Sequence, residues 1–386
     1  MNTKEKDKKY IMGTYGRLDL ELDHGTGCTL FDADGKEYID FGSGIAVNTF
    51  GACDPIWVDA VTKQLGMLQH TSNYYYTKPC ADLAELLCKK TGMSKVFFSN
   101  SGAEANECAI KAARKYGTDK NPDKNIIITL KNSFHGRTIT TLSATGQEVF
   151  HKNFTPFTEG FVYVEANNCD ELEKAMTERV CGIMFEIIQG EGGVLPLTEE
   201  FIKTADKLAK KFDALLITDE VQTGNGRCGT LYAYQQFGIM PDIVSTAKGL
   251  AGGLPLGATM FAENVQDILP AGSHGSTFGG NPVAAAGALS ILSRIDDALL
   301  DSVRKNSEYL ISKLLEINGV KSVSGMGYML GIETDKDAKE ILKKCLENGL
   351  LVLTAKDKVR LLPPLNITKD ELDKGLTILK NVIESL

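Results

Sequence analysis

The chain has no apolar run approaching the roughly 18 residues that a membrane-crossing helix requires, so a helical membrane protein is not expected. It also has no Cys-x-x-Cys pair. Its nine cysteines are scattered from Cys28 to Cys345, an odd and unpatterned set. That argues against a disulfide framework or a zinc site and for reduced thiols in a cytoplasm. The five histidines (24, 70, 135, 151 and 274) show no ligand spacing, so no metal centre is expected. A basic surplus is missing too: the formal charge is -8, which disfavours a nucleic-acid partner. The one basic cluster, Lys4, Lys6, Lys8 and Lys9, is interleaved with Glu5 and Asp7. No apolar h-region follows it, so it is expected to be a solvated, frayed end and not a targeting signal.

What is present is an ordinary globular composition, 43% hydrophobic and 24% charged. At 386 residues the chain exceeds one compact core, and two or three domains are expected. No repeat or low-complexity linker divides it.

From Lys95 to about Ala262, short β-rich runs alternate with helical patterns. The predicted strands are Val96–Phe98, Ile126–Leu130, Gly182–Ile188, Leu215–Thr218 and Ile243–Thr246, with helices such as Glu104–Tyr116 and Glu199–Phe212 between them. Continuous apolar strands separated by helices predict an α/β fold with a mostly parallel sheet covered on both faces. Ligands collect at the carboxyl ends of such strands. The flanks differ. Residues 17–42 predict a meander turning at Asp34-Gly35, and residues 299–386 predict helix, strand, helix, two short strands and a last helix. We therefore expect a large domain over 51–290. A smaller α+β domain would be assembled from 1–50 and 291–386, with the boundary near 290 inside a long helix.

Asp219 ends one apolar run and Lys248 follows another. Together they supply a carboxylate for a pyridine nitrogen and an amine for a Schiff base, the needs of pyridoxal 5'-phosphate (PLP) chemistry. A buried carboxylate is costly unless paired, and desolvation would lower the lysine pKa toward a neutral amine. Ser99–Glu107 (SNSGAEANE) predicts a strand end, a small polar turn and an alanine-rich helix starting near Ala103. Ala105, Cys108, Ala109 and Ala112 fall on one helical face. Gly102 lets backbone approach a ligand, and a helix start binds phosphate; from this segment alone an ordinary capped turn is the stronger reading. In Ser133–Thr138 (SFHGRT), Phe134 suits stacking on a flat ring and Arg137 a carboxylate fork. A core aromatic and a surface arginine are the plainer alternatives. Gly275–Pro282 (GSTFGGNP) offers hydroxyls for a phosphate. Glu191, in QGEGGV, could pair with the distant Arg360 of VRLLPPL, or the two could be an incidental surface pair.

SNSGAEANE, SFHGRT, QGEGGV, DEVQTGNGR, AKGL and STFGGNP stand in the order found in class III PLP-dependent aminotransferases, and the chain resembles that family from about Tyr15 to Pro364. The resemblance implies PLP-dependent transferase fold type I and a homodimer with shared active sites. It implies that Lys248 carries the cofactor, Asp219 meets the pyridine nitrogen and Gln222 the ring hydroxyl. Phe134 and Val221 would sandwich the ring. Ser101, Gly102 and Ala103 would bind phosphate, with Thr277 joining from the partner subunit. Arg137 and Ser276 would contact substrate, and Glu191 would mask Arg360 until a dicarboxylate enters. Within the family the likeness, including YIDFGSGIAVN and VRLLPPLNIT, is to members that move the δ-amine between N2-acetyl-L-ornithine and 2-oxoglutarate in arginine biosynthesis. Ornithine, its succinylated form, succinyldiaminopimelate and 4-aminobutyrate remain alternative donors, and a non-catalytic PLP-binding protein a remote one. Ornithine enzymes tend to carry tyrosine where Ile45 stands. Two departures are GACDP at 51–55, where relatives often read GHCHP, and GRCG, with Cys228, where GRTG is usual.

Overall fold

The computed structural model describes residues 1–386. Seven strands form the central sheet: β1 (Lys95–Ser99), β2 (Ile126–Leu130), β3 (Phe161–Val164), β4 (Val180–Phe185), β5 (Leu215–Asp219), β6 (Ile243–Thr246) and β7 (Gly257–Phe261). Their order across the sheet is β1-β7-β6-β5-β4-β2-β3. β5 runs parallel to β4 and β6, and β2 parallel to β3 and β4. β7 is antiparallel to both β6 and β1. β4, β5 and β6 are buried along their whole length, as strands covered on both faces must be.

The sequence reading omits β3 and β7. β3 is a partly exposed edge, and β7 opens on Gly257-Ala258, which carries little strand signal. That glycine is required by packing: a Cβ there would lie 2.4 Å from the Ser101 carbonyl oxygen. β7 thus buttresses the turn after β1. The predicted strand Gly182–Ile188 is also corrected. β4 stops at Phe185, the chain turns through Glu186, and Ile188–Gln189 pairs instead with Leu195–Pro196.

The helix after β1 runs Gly102–Lys120, and Ala105, Cys108, Ala109 and Ala112 are fully buried against the sheet. The helix Glu199–Lys211 buries Phe201, Ile202, Ala205, Leu208 and Ala209 on one face and is capped by Thr198.

The smaller domain joins the two ends of the chain. The meander Leu22–Thr26, Thr29–Asp32, Glu37–Asp40 gains Leu350–Leu351 as a parallel fourth strand, with Leu350 opposite Ile39. Its turn forms at Asp34-Gly35, where Gly35 has φ +82°. A second sheet holds Val320–Met326, Met329–Thr334, Lys358–Leu361 and Leu353–Ala355 in that order. Cys28 and Phe41 from the amino-terminal part share a core with Val303, Leu330, Ile341 and Leu379. The single long helix expected near residue 290 is two helices, Pro282–Leu292 and Asp297–Leu315; Asp296 caps the second and separates them. The amino-terminal stretch expected to fray forms the exposed helix Thr3–Tyr10, because Asn2 and Glu5 close a capping box over its first turn. No helix is long and apolar enough to cross a membrane.

Candidate active site

The segments that follow β1, β2, β4, β5 and β6 converge on one cavity of about 410 Å³. Ser101, Gly102, Ala103, Phe134, Arg137, Asp219, Val221, Gln222 and Lys248 all form part of its wall. Residues spread over nearly 150 positions of sequence meet because parallel strands all end on the same side.

Asp219, the last residue of β5, is buried and strongly anchored. Its Oδ2 accepts from Asn106 Nδ2 at 2.7 Å and from His135 Nδ1 at 2.8 Å. Asn106 in turn accepts from Ser245 Oγ at 2.5 Å and donates to the His135 carbonyl at 2.8 Å. The other oxygen, Oδ1, takes only the Val221 N–H, at 3.0 Å. Donors crowded on one oxygen hold the carboxylate in place while the other keeps capacity for a ligand. Neither Asn106 nor His135 is among the residues the sequence assigns to the site, although they lie inside SNSGAEANE and SFHGRT.

Lys248 opens a short 3-10 turn after β6 with φ +43°, a left-handed conformation unusual for a side-chain-bearing residue. Backbone strain of this kind gathers at functional sites. Burial lowers its pKa from the ordinary lysine value; the Arg360 charge adds to this, and Glu191 opposes it. A free amine is therefore more accessible here than on the surface.

Two further buried acids were not anticipated. Glu186 follows β4, and Glu220 follows Asp219; burial is the leading cause that raises each to about 7. Glu220 accepts from the Tyr234 N–H at 2.8 Å and from the Thr223 hydroxyl. Because the folded value lies above the unfolded value of 4.5, the folded state holds its proton longer. The contribution is complete below 4.5 and is lost as pH rises through about 7. We expect cofactor-free protein to lose stability over that window, with Glu220 accounting for about 3 kcal/mol. Chemical denaturation at several pH values checks this. Glu220→Gln should flatten the slope, and an unchanged slope would refute the assignment.

The expected long-range pair is present. Arg360, on the strand Lys358–Leu361, is buried, and its Nη1 donates to Glu191 Oε1 at 2.7 Å. It also reaches Gln222 Oε1 at 3.0 Å and the Gly190 carbonyl at 3.3 Å. Burial alone would raise the Glu191 carboxyl, but the charge and hydrogen bond of Arg360 outweigh it, and its pKa is lowered. Gln222 is thereby tied to the arginine pair. Arg137 differs: its exposed guanidinium lies 5.3 Å from the Phe134 ring centre and 4.2 Å from that of Phe150, with no acid bound to it.

Four of the expected site residues are not in the cavity wall: Glu191, Arg360, Ser276 and Thr277. Ser276 accepts from Nδ2 of the wall residue Asn100 at 3.2 Å, and Thr277 is exposed.

The family model of class III aminotransferases matches residues 12–383. This chain belongs to the class III aminotransferases. It is 49% identical to the acetylornithine aminotransferase of Haemophilus ducreyi, over 99% of this chain and 98% of that one. Identity to the acetylornithine aminotransferase of Caldanaerobacter subterraneus is 45%, covering 98% of each. Among solved structures it resembles the N-acetylornithine aminotransferase of Stenotrophomonas maltophilia, with TM-score 0.86, 37% identity and 99% and 98% coverage. It also resembles the ornithine aminotransferase of Toxoplasma gondii, with TM-score 0.95, 32% identity and 100% and 96% coverage.

The residues of this class III aminotransferase fit PLP. Gly102 opens the helix beside Val221, where a Cβ would come within 2.7 Å of Val221 Cγ1, so the turn stays narrow and its N–H groups remain accessible. The buried Asp219 and the low-pKa Lys248 border the same space.

The departures from the family pattern leave that space intact. Asp54 of GACDP caps the helix Pro55–Leu65 and is gripped by both terminal nitrogens of Arg294, at 3.0 and 2.8 Å. From the same helix, Trp57 Nε1 donates to the Ala251 carbonyl at 2.9 Å and so braces the Lys248 turn from behind. Cys228 is buried, and burial pushes its thiol pKa up, so it packs as an apolar group. Ile45 lies in a turn in which Ser43, Gly44, Ile45 and Ala46 all have positive φ. This left-handed turn delivers Val47 to the cavity, while Ile45 itself stays 41% exposed.

Proposed function

We propose that the protein transfers the δ-amine between N2-acetyl-L-ornithine and 2-oxoglutarate with PLP, forming N-acetyl-L-glutamate 5-semialdehyde and L-glutamate, a step of arginine biosynthesis. The observation that carries this is one masked arginine and one open one: Arg360 is closed by Glu191, while Arg137 is free. A donor with one carboxylate binds Arg137 and leaves the mask closed. A dicarboxylate displaces Glu191 and uses both guanidiniums. Acetylation blocks the α-amine, so only the distal amine reacts. The relatives bearing the acetylornithine name reach 49% identity, against 32% for the Toxoplasma gondii ornithine enzyme.

When bound, PLP supplies an electron sink for the carbon that carries the reacting amine. Lys248 would anchor the cofactor through Nζ and, when free, would take the proton from the δ-carbon as base and, as the conjugate acid, donate it to the cofactor carbon that receives the amine. Asp219 holds a negative charge against the pyridine nitrogen and keeps it protonated. Phe134 and Val221 confine the ring. Ser101, Gly102 and Ala103 hold the phosphate through the helix start. Gln222 serves the ring hydroxyl when it is released from Arg360, and Ser276 supports the substrate side.

A homodimer with shared sites completes this reading. Tyr74, Tyr75, Tyr76 and Phe278 are all more than half exposed, and Asn73 ties their stretch to the Ser276–Gly279 turn. An exposed aromatic patch of this kind favours a partner copy, and it carries Thr277, which we assign to the partner's phosphate. We place the domain division at 1–50 and 291–386 against 51–290, and the protein in the cytoplasm, where its nine free cysteines stay reduced.

Single-turnover rates with N2-acetyl-L-ornithine, ornithine, N2-succinylornithine, succinyldiaminopimelate and 4-aminobutyrate test the donor. The acetylated donor should lead, and a clear preference for free ornithine would overturn the proposal. Glu191→Ala should unmask Arg360, tighten 2-oxoglutarate binding and raise glutamate reactivity about tenfold relative to the acetylated donor, the worth of one charge-assisted hydrogen bond. Unchanged glutamate rates in the same assay would show that Glu191 masks nothing.

A further inference from the structure

Glu186 touches both loops on which that reading depends, and the roles assigned above leave it out. It follows β4 directly, is buried, and forms part of the cavity wall. Its Oε2 accepts the Phe134 N–H at 3.0 Å, and its Oε1 accepts the Gly190 N–H at 3.3 Å. Each of these peptides leads to one arginine. Phe134 begins the turn that ends in Arg137, whose guanidinium lies against the Phe134 and Phe150 rings. The Gly190 carbonyl accepts from Arg360, and its neighbour Glu191 pairs with the same nitrogen. Gly190 packs closely on Gln222, where a Cβ would lie 2.5 Å from Gln222 Oε1.

We propose that Glu186 is a positioning residue for dicarboxylates: by clamping the main chain at Phe134 and Gly190 it sets the span between Arg137 and Arg360. A ligand with two carboxylates must reach both guanidiniums at once, so its binding depends on that span. A ligand with one carboxylate engages Arg137 alone and is indifferent to it. The clamp needs two acceptor oxygens. A carboxamide of the same volume has one, so its NH2 must face one of the two N–H groups and release that loop. The inference rests on the dicarboxylate half of the proposed function.

The test uses the PLP-loaded protein and glutarate, which has the length of 2-oxoglutarate without the oxo group. Calorimetry should show Glu186→Gln weakening glutarate binding about tenfold or more. The KM for 2-oxoglutarate should rise by a similar factor. The KM for N2-acetyl-L-ornithine should rise by a clearly smaller factor, because a one-carboxylate ligand does not read the span. Equal weakening of all ligands, or unaltered glutarate binding, overturns the proposal. Should Glu186→Gln fail to fold, Glu186→Asp keeps the charge but is one methylene short of holding both N–H groups, and must show the same split. Wild-type protein that binds glutarate but does not process the acetylated donor would sink the donor assignment and leave this one standing. Wild-type protein that does not bind glutarate would sink the dicarboxylate half of the proposed function and this inference with it.

Discussion

Lys248→Ala will abolish turnover in both directions, by about 10³-fold or more, and the PLP-loaded protein will lose its yellow colour. The size follows from losing two functions with one amine. Proton transfer by a positioned base contributes about 10² to 10⁴, and the covalent anchor for the cofactor goes with it. The surroundings suit this role: burial depresses the pKa of Lys248, and its backbone is held at φ +43°. The Trp57–Ala251 contact supports the turn from outside the cavity, so the variant should fold normally. Rapid mixing with the amine donor, followed by product analysis, checks the result. Turnover within tenfold of wild type would falsify the assignment.

Asp219→Asn should lower kcat by about 10² to 10³ and weaken PLP binding, with little change in fold. Removing one member of a buried charge pair costs about 3–5 kcal/mol. The substitution also misplaces a donor. Asn106 and His135 both donate to Oδ2 and Val221 donates to Oδ1, so an amide cannot accept from all three. If the amide oxygen stays with Asn106 and His135, its NH2 faces the Val221 N–H. Cofactor titration and steady-state kinetics read the two effects separately. Wild-type kinetics in Asp219→Asn would remove the pyridine nitrogen from the account.

Parts of the site differ in how far the sequence disclosed them. The strand-end positions of Asp219 and Lys248 follow from apolar runs of strand length, a local signal that survives without tertiary context. The helix after β1 was legible for a similar reason: four small apolar residues repeat on one face, and all four are buried. β7 was not legible, because its glycine answers to the Ser101 carbonyl across the sheet and not to any strand propensity. Glu186 was lost inside a run read as continuous strand. Hydrophobic patterning gives no sign that the chain bends there to face the cavity.

His135 and Asn106 illustrate the same limit. Each lies in a motif that was singled out, yet nothing local shows that both donate to one oxygen of a residue 84 and 113 positions away. Ser276 and Thr277 carry hydroxyls expected at the site, yet neither lies in the cavity wall of the single chain: Ser276 is bonded by Asn100 and Thr277 is exposed.

By itself the sequence determined the alternating architecture, the acid and the amine at two strand ends, the small-residue helix start and the family they spell. Those features depend on periodicity and on residue type, which are written locally along the chain. Only the tertiary structure decided that Arg360 is closed by Glu191 while Arg137 stays open, that Asp219 keeps one oxygen nearly free, and that Glu186 holds the loops leading to both arginines. These depend on distances between segments far apart in the chain, and those distances are set by how the sheet and the smaller domain pack.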